Sequence, residues 1–466
     1  MSNNIIKTFK KRLILHLFLL SFFLLLVNCQ SNSSIDGSSN VIENPEPIPF
    51  VDPLWSEWIR ENSFSLDSAV YNNSFEDLKS LKPFLKNRRI VQLGESSHGV
   101  KEYNQVKVKI IKFLHEEMNF NVIAFESSIF ECYYGYKIIR SLEPETLMCN
   151  SIFGVWHTDE VIELFEYIYS TLNTDRPLIL SGFDTQCSGG LRVYRPEFIK
   201  NVLYQVDSEF ADKVFKKDTE ILNNTFLSNI ENIRNYFRDN SKDIELFYLS
   251  IIDFIDKNKK VLTKKNGDIR SVLMVRQVAL SRIRYLKQVL SGSPENTLVR
   301  DEGMANNLDF LLDIVYPDEK IITWGHNAHL RHANEDAIED RVASMRTMGS
   351  WVCERHRPIL YTIGLYMYGG QAAYNNGVVH NVETPLDNSL EAICNEASGE
   401  FVYVDMFHQS RSEGNSWMFI QVPSKRWGVN DQYIVPRDQY DAVILVKTAH
   451  PPDHYKYVPL IQEGSH

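Results

Sequence analysis

Arg89-Ile90-Val91-Gln92-Leu93 runs straight into Gly94-Glu95-Ser96-Ser97-His98-Gly99. Beyond it Tyr103, Val106, Ile110, Phe113, Leu114 and Met118 recur at helical spacing, and then comes Val122-Ile123-Ala124-Phe125-Glu126. A short apolar run, an amphipathic helix and a second apolar run form a strand–helix–strand unit. Such a crossover joins parallel strands, so the fold class is α/β, with a mostly parallel central sheet flanked by helices. Lys101, Lys107, Lys109 and Lys112 fall on the other faces of the helix. In open sheets of this kind ligands collect at the carboxyl ends of the strands, which makes the polar residues after each strand the first candidates for function.

The same grammar continues along the chain. Leu178-Ile179-Leu180 leads to Gly182-Phe183-Asp184, and Lys320-Ile321-Ile322-Thr323-Trp324 leads to Gly325-His326. Ile359 to Tyr366, Phe401 to Val404 and Ala442 to Val446 are further strand candidates. The stretch of about 195–305 differs: it is charged, low in glycine and helical in pattern, with helices expected over Ile230 to Phe254 and Val272 to Leu290. It reads as a long helical insertion in a domain covering 54–466.

The start of the chain is a targeting segment. Lys7, Lys10, Lys11 and Arg12 precede an apolar run from Leu13 to Val27, too short to span a bilayer comfortably. Leu26-Val27-Asn28-Cys29 follows the pattern of a lipobox, so 1–28 is expected to be a lipoprotein signal peptide and Cys29 the lipidated residue. Residues 29–53, rich in Ser, Asn and then Pro, read as a flexible tether. The protein is therefore expected to be an exported, membrane-anchored lipoprotein of the bacterial cell envelope.

Composition narrows the classes further. At 466 residues and 44% hydrophobic, the chain can bury a large core. Its net charge is -11, with no clustered basic face, which argues against a nucleic-acid partner. Loss of 1–28 removes four cations and no acid, making the remainder more acidic still. Five cysteines remain beyond Cys29, with no Cys-x-x-Cys, so neither a zinc ribbon nor a disulfide framework is indicated; one disulfide can form, its pair unassigned. There is no Gly-x-Ser-x-Gly, no P-loop and no Gly-x-Gly-x-x-Gly, and His115-Glu116 lacks the second His of a zincin.

Three polar clusters sit at strand ends. Gly94 and Gly99 allow a tight turn and close approach by a ligand. Between them His98, at the start of a helix, is a candidate general base, with Glu95 placed to orient it or share its proton. Glu126 closes an apolar strand, where a carboxylate is either functional or paired, for instance with an Arg. His326 and His329, three residues apart, are suited either to a metal or to an acid–base and oxyanion-stabilising pair.

In this order, Leu93 to Gly99 with Glu102, Ala124-Phe125-Glu126 and Trp324-Gly325-His326-Asn327-Ala328-His329 resemble the erythromycin esterase family. Trp156-His157-Thr158-Asp159-Glu160, Gly182-Phe183-Asp184-Thr185-Gln186, Arg300-Asp301-Glu302-Gly303-Met304-Ala305 and Tyr440-Asp441-Ala442-Val443-Ile444 agree with it. The resemblance implies hydrolysis of a macrolide lactone or other ester without a covalent serine intermediate, and hence antibiotic resistance. It makes His98 the water-activating base, with Glu95 and Glu126 holding base and water. It gives His326 and His329 the substrate carbonyl or a proton shuttle, puts Lys107 and Trp156 against the substrate, and implies a cleft between the α/β core and the helical part. Lys107 stands where the family usually has Arg, keeping the charge but losing the bidentate fork.

Three functions fit these residues. One is a cofactor-free esterase or lactonase acting on a small-molecule substrate through His98. Another is a hydrolase holding one divalent metal through His98, His326, His329 and Glu126. The third is an envelope binding protein with the same cleft and no turnover.

Overall fold

In chain order the strands are β1 (Phe64–Leu66), β2 (Ile90–Leu93), β3 (Phe120–Ser128), β4 (Ile179–Asp184), β5 (Lys320–Trp324) and β6 (Ile338–Glu339). They continue with β7 (Leu360–Ala373), β8 (Val379–Asn381), β9 (Phe401–Asp405), β10 (Val422–Arg426), β11 (Asn430–Ile434) and β12 (Ala442–Ala449). They belong to a computed structural model that describes residues 48–460 apart from 226–227, 340–344 and 457. The expected signal peptide 1–28, Cys29 and the expected tether up to residue 47 lie outside the described residues. Among the described residues no helix is long and apolar enough to cross a membrane.

The central sheet has the order β1-β9-β12-β7-β2-β5-β3-β4, with β8 pairing to β7. Every contact from β12 to β4 is parallel, while β9 is antiparallel to both β12 and β1. The architecture is the expected mostly parallel sheet flanked by helices. From β2 the chain leaves past β5 to β3; from β5 it leaves past β2 to β7. The strand order therefore reverses between β2 and β5, the kind of crevice where open α/β sheets bind ligands.

Alternation along the strands explains the two covered faces. Val91, Leu93, Ile123, Phe125, Ile322 and Trp324 join the core beneath the helices Lys101–Met118 and Asp159–Thr171. Ile90, Val122, Ala124 and Ile321 join the core on the helical-insertion side. The helix Lys101–Met118 ends at Asn119 in the left-handed conformation, with φ 62°, its N–H bonded to the Leu114 carbonyl. This helix is more buried than its charge pattern suggests. Lys107 and Lys109, expected on outward faces, are enclosed: Lys107 reaches Glu95, and Lys109 reaches Asp77 and the Ser68 carbonyl. The segment before β2 covers the side expected to be wet.

Within the insertion, Ile230–Asn266 and Ile269–Leu290 fold back on each other through Gly267 and Asp268. Gly267 supplies φ +69°, and the Asp268 side chain caps the second helix through the N–H groups of Arg270 and Ser271. Arg276–Asp256 and Lys287–Glu245 pairs tie the two legs. A buried tie matters more. Asp218, on Ser208–Thr225, accepts two bonds from Arg195 at 2.9 and 3.2 Å and one from the Tyr248 hydroxyl at 2.7 Å, joining three helices. The five cysteines among the described residues are free thiols.

Because both partners are buried, Asp218→Ala leaves the Arg195 charge uncompensated. It is expected to lower stability by about 3–5 kcal/mol, measured by urea denaturation; a loss below about 1 kcal/mol would show that the tie is unimportant.

Candidate active site

β2 ends at Leu93, and the next residues bend across the top of the sheet. The glycines here make room for the protein's own groups and not, as expected, for a ligand. A Cβ on Gly94 would lie 2.1 Å from the Asn327 Oδ1, and one on Gly99 would lie 1.9 Å from the Ala373 carbonyl oxygen. Asn327 N–H in turn donates to the Glu95 carbonyl at 2.7 Å, so the loops after β2 and β5 are locked together.

Glu95 is fully buried. Its Oε1 accepts from His98 Nδ1 at 2.6 Å and from Trp156 Nε1 at 2.8 Å; its Oε2 accepts from Lys107 Nζ at 2.5 Å. Burial alone would raise its pKa, but Lys107 and His98 outweigh that and hold the carboxyl below its ordinary value. Burial also pulls Lys107 down from 10.5 to about 8, against the pull of Glu95. Lys107 and Trp156, expected against the substrate, are instead enclosed beneath the carboxylate that they hold, and Lys107 Nζ lies 4.6 Å over the Trp324 ring.

His98 is 12% exposed in its side chain. Its ring meets those of Trp156 and His326 at 5.1 Å and of Trp427 at 5.5 Å, all edge-on. With Nδ1 on Glu95, its Nε2 has no protein hydrogen bond among the described residues.

Glu126 lies on the crevice side of β3. Its Oε2 accepts the His326 N–H at 2.8 Å and its Oε1 accepts from Arg300 Nη2 at 2.8 Å. Burial opposes its charge, yet His329, Arg300, His98 and the His326 N–H bring its pKa down to about 2. Gly325 eases this fit, since a Cβ there would sit 3.0 Å from Glu126 Oε2. The Arg partner that a buried carboxylate calls for is thus present, beside the histidine cluster.

His326 and His329 differ. His326 Nδ1 accepts from the Ala328 N–H at 3.1 Å and Nε2 donates to the Ser96 carbonyl at 3.2 Å. Burial, with His98 and His329 nearby, holds its pKa well below 6.5, so it is a neutral ring with both nitrogens committed. His329 Nδ1 lies 2.6 Å from Asp301 Oδ1, and its Nε2 is 3.4 Å from Glu126 Oε1 and 3.2 Å from Arg300 Nη1. Burial works against its charge, but Asp301 and Glu126 outweigh it and raise its pKa.

The helix Glu295–Phe310 carries Arg300 and Asp301 to this cluster. Arg300 grips Asp184, at the end of β4, through Nε at 3.1 Å and Nη2 at 2.5 Å. Asp184 and Glu126 overcome burial and raise the Arg300 pKa, so it stays a cation. Arg300, Asp301 and Asp184 had no role assigned from sequence. For Asp184 the signal existed, since it ends a strand as Glu126 does, and all three stand in stretches that agree with the family resemblance. As a metal cage the cluster does not fit. His326 has no free lone pair, and among the described residues no group of three His, Cys, Asp or Glu is disposed to hold an ion.

Residues 115–449 match the family model described as Erythromycin esterase. The chain is 32% identical over 449 residues to the Bacillus subtilis (strain 168) protein named "Putative hydrolase YbfO", covering 91% of this chain and 96% of that one. It is 22% identical over 343 residues to "Erythromycin esterase type II" of Escherichia coli, covering 68% and 78%. An erythromycin esterase mutant, EreC, in its open conformation superposes with a TM-score of 0.62 at 16% identity, covering 84% of this chain and 98% of the other. With the family model spanning most of its length, the chain belongs to the erythromycin esterase family.

Proposed function

We propose that this hydrolase cleaves a carboxylic ester or lactone by attack of a water molecule that His98 activates. The observation that carries this is the state of His98: Glu95 fixes its Nδ1 while Nε2 is left without a protein partner at the crevice between β2 and β5. A ring held in this way accepts a proton at Nε2. Water on that side loses a proton to His98 as its oxygen bonds to the ester carbonyl carbon. The carbonyl oxygen takes up negative charge facing the cationic Arg300 and the imidazole of His329, which Glu126, Asp184 and Asp301 hold in place. Collapse breaks the bond to the alcohol oxygen, and His98 returns its proton to that oxygen. Glu95 stays an anion throughout and stabilises the imidazolium. His326, neutral and doubly bonded, shapes the floor beneath His98 and is not the proton carrier. No step needs a metal or cofactor.

The name of the Escherichia coli relative makes a macrolide lactone one candidate substrate, alongside simple esters. We also propose that Cys29 carries a lipid and tethers the enzyme to the cell envelope. Cys29→Ser should then release the protein from the membrane fraction, whereas continued membrane association would end that assignment.

His98→Asn should lower kcat/KM on any hydrolysed ester by about 10²–10⁴-fold, and Glu95→Gln by a smaller factor. Full turnover in His98→Asn would overturn the mechanism. Activity should survive dialysis against a chelator, with no stoichiometric metal in the purified protein; a loss of activity restored by one divalent ion would refute the metal-free scheme.

Glu126 also makes a pH prediction. Its folded pKa of about 2 lies below the ordinary 4.5, so its charge contributes stability fully above 4.5, and that contribution is lost as pH falls through about 2. Urea midpoints of wild type and Glu126→Gln should differ most above pH 4.5 and converge toward pH 2. A gap that stays constant with pH would show that Glu126 is not ionised in the fold.

A further inference from the structure

Above the imidazoles lies a residue that the chemistry so far has not used. β10 and β11 are joined by Arg426-Trp427-Gly428-Val429, with the Val429 N–H bonded to the Arg426 carbonyl at 3.3 Å. Trp427 has φ +60° and Gly428 φ +70°. Two successive positive values mark a type I′ turn, which calls for Asn, Asp or Gly at its first central position. Gly428 obeys that chemistry and Trp427 does not. A bulky side chain in the left-handed region is strained, and such outliers persist where the surroundings hold them and function uses them.

The surroundings here do hold it. The Trp427 N–H donates to the Ser96 carbonyl at 2.9 Å, the same oxygen that accepts from His326 Nε2 at 3.2 Å. Its carbonyl accepts from His380 Nε2, on β8, at 2.9 Å. His380 is itself stacked on Tyr374 at 3.9 Å, at the partly exposed tip of the β7–β8 hairpin. The backbone of one turn residue is thus fixed from the loop after β2 and from an arm of the sheet. Its ring stacks on His326 at 5.2 Å and 28° and meets His98 edge-on at 5.5 Å. Trp156 meets His98 from another direction at 5.1 Å.

We infer that Trp427 is a positioning residue for the reaction. Its indole fixes the angle of His326, closes one side of His98, and leaves Nε2 as the open approach for water and ester. Nothing in the turn itself asks for an indole; the two imidazoles beneath it do. This assignment rests on the His98 mechanism proposed above, but the geometry it describes exists whether or not an ester is turned over.

The test uses Trp427→Asn, which suits the turn and removes the ring, beside Trp427→Phe, which restores an aromatic face. Aryl ester hydrolysis, melting temperature and the Cε1–H resonances of ¹³C-labelled histidines are measured for each, signals being assigned through His98→Asn and His326→Asn. Trp427→Asn should melt within a few degrees of wild type, lose roughly tenfold or more in kcat with KM nearly unchanged, and show the His98 and His326 signals displaced. Trp427→Phe should recover most of the lost kcat. Unchanged kcat in Trp427→Asn, or a rise in KM alone, would overturn the assignment. If the wild type hydrolyses no ester at all, the function proposed above fails and the crystal structure of Trp427→Asn decides alone: His98 and His326 rings at unchanged angles would refute the positioning role, and reoriented rings would support it.

Discussion

A carboxylate sealed away from water at the end of β2 is the constraint around which this protein is organised. A charge at the position of Glu95 is tolerable only if donors meet it on every side. Lys107, Trp156 and His98 do so, and each comes from a different piece of local structure. The helix Lys101–Met118 must dock tightly on the sheet for Lys107 to arrive, and the segment carrying Trp156 must close over it. Of the three donors only His98 has a second nitrogen left over, and that surplus is what the proposed chemistry uses.

The second carboxylate is handled differently. Glu126 is met by a backbone N–H from the loop after β5 and by a guanidinium from the helical insertion. Arg300 also takes Asp184, so one cation joins the ends of two neighbouring strands and brings the helical part into register with the sheet. In the proposed reaction the result is a division of charge across the crevice: a buried anion orients the base on one side, and a held cation faces the developing oxyanion on the other. Both arrangements place fixed charges in a poorly hydrated setting, where they act strongly and need no rearrangement during reaction.

Much of this was legible in the residues. The strand-end positions of Glu95, His98, Glu126, His326 and His329 followed from apolar runs that stop at polar residues, and the structure brings these five side chains to one crevice. β5 is read to its ends, and the two long insertion helices extend the expected ones. What was not legible depends on distance along the chain. Arg300 lies 174 positions from Glu126, and neither residue's neighbourhood names the other. Lys107 looked like a solvated or substrate-facing cation because a helical pattern shows spacing and not what covers each face. The three-stranded sheet of β10, β11 and β6 has weak alternation, and Trp427 sits in a turn whose conformation contradicts its residue type. The antiparallel placement of β9 is likewise a matter of topology, since a short apolar strand looks the same in either direction.

Arg300 and Asp301 stand on the helix that brings the chain back from the insertion, so the crevice is incomplete until roughly a hundred residues have gone out and returned. Closing a loop of that size is entropically slow compared with forming the β2–helix–β3 unit. β5, which sits between β2 and β3, also lies beyond the insertion, so the middle of the sheet and the crevice are completed together, late in folding. By the same reasoning, local loosening of the insertion detaches the cation from Glu126 and Asp184 while the strands stay paired, so the enzyme can fall silent well before it unfolds.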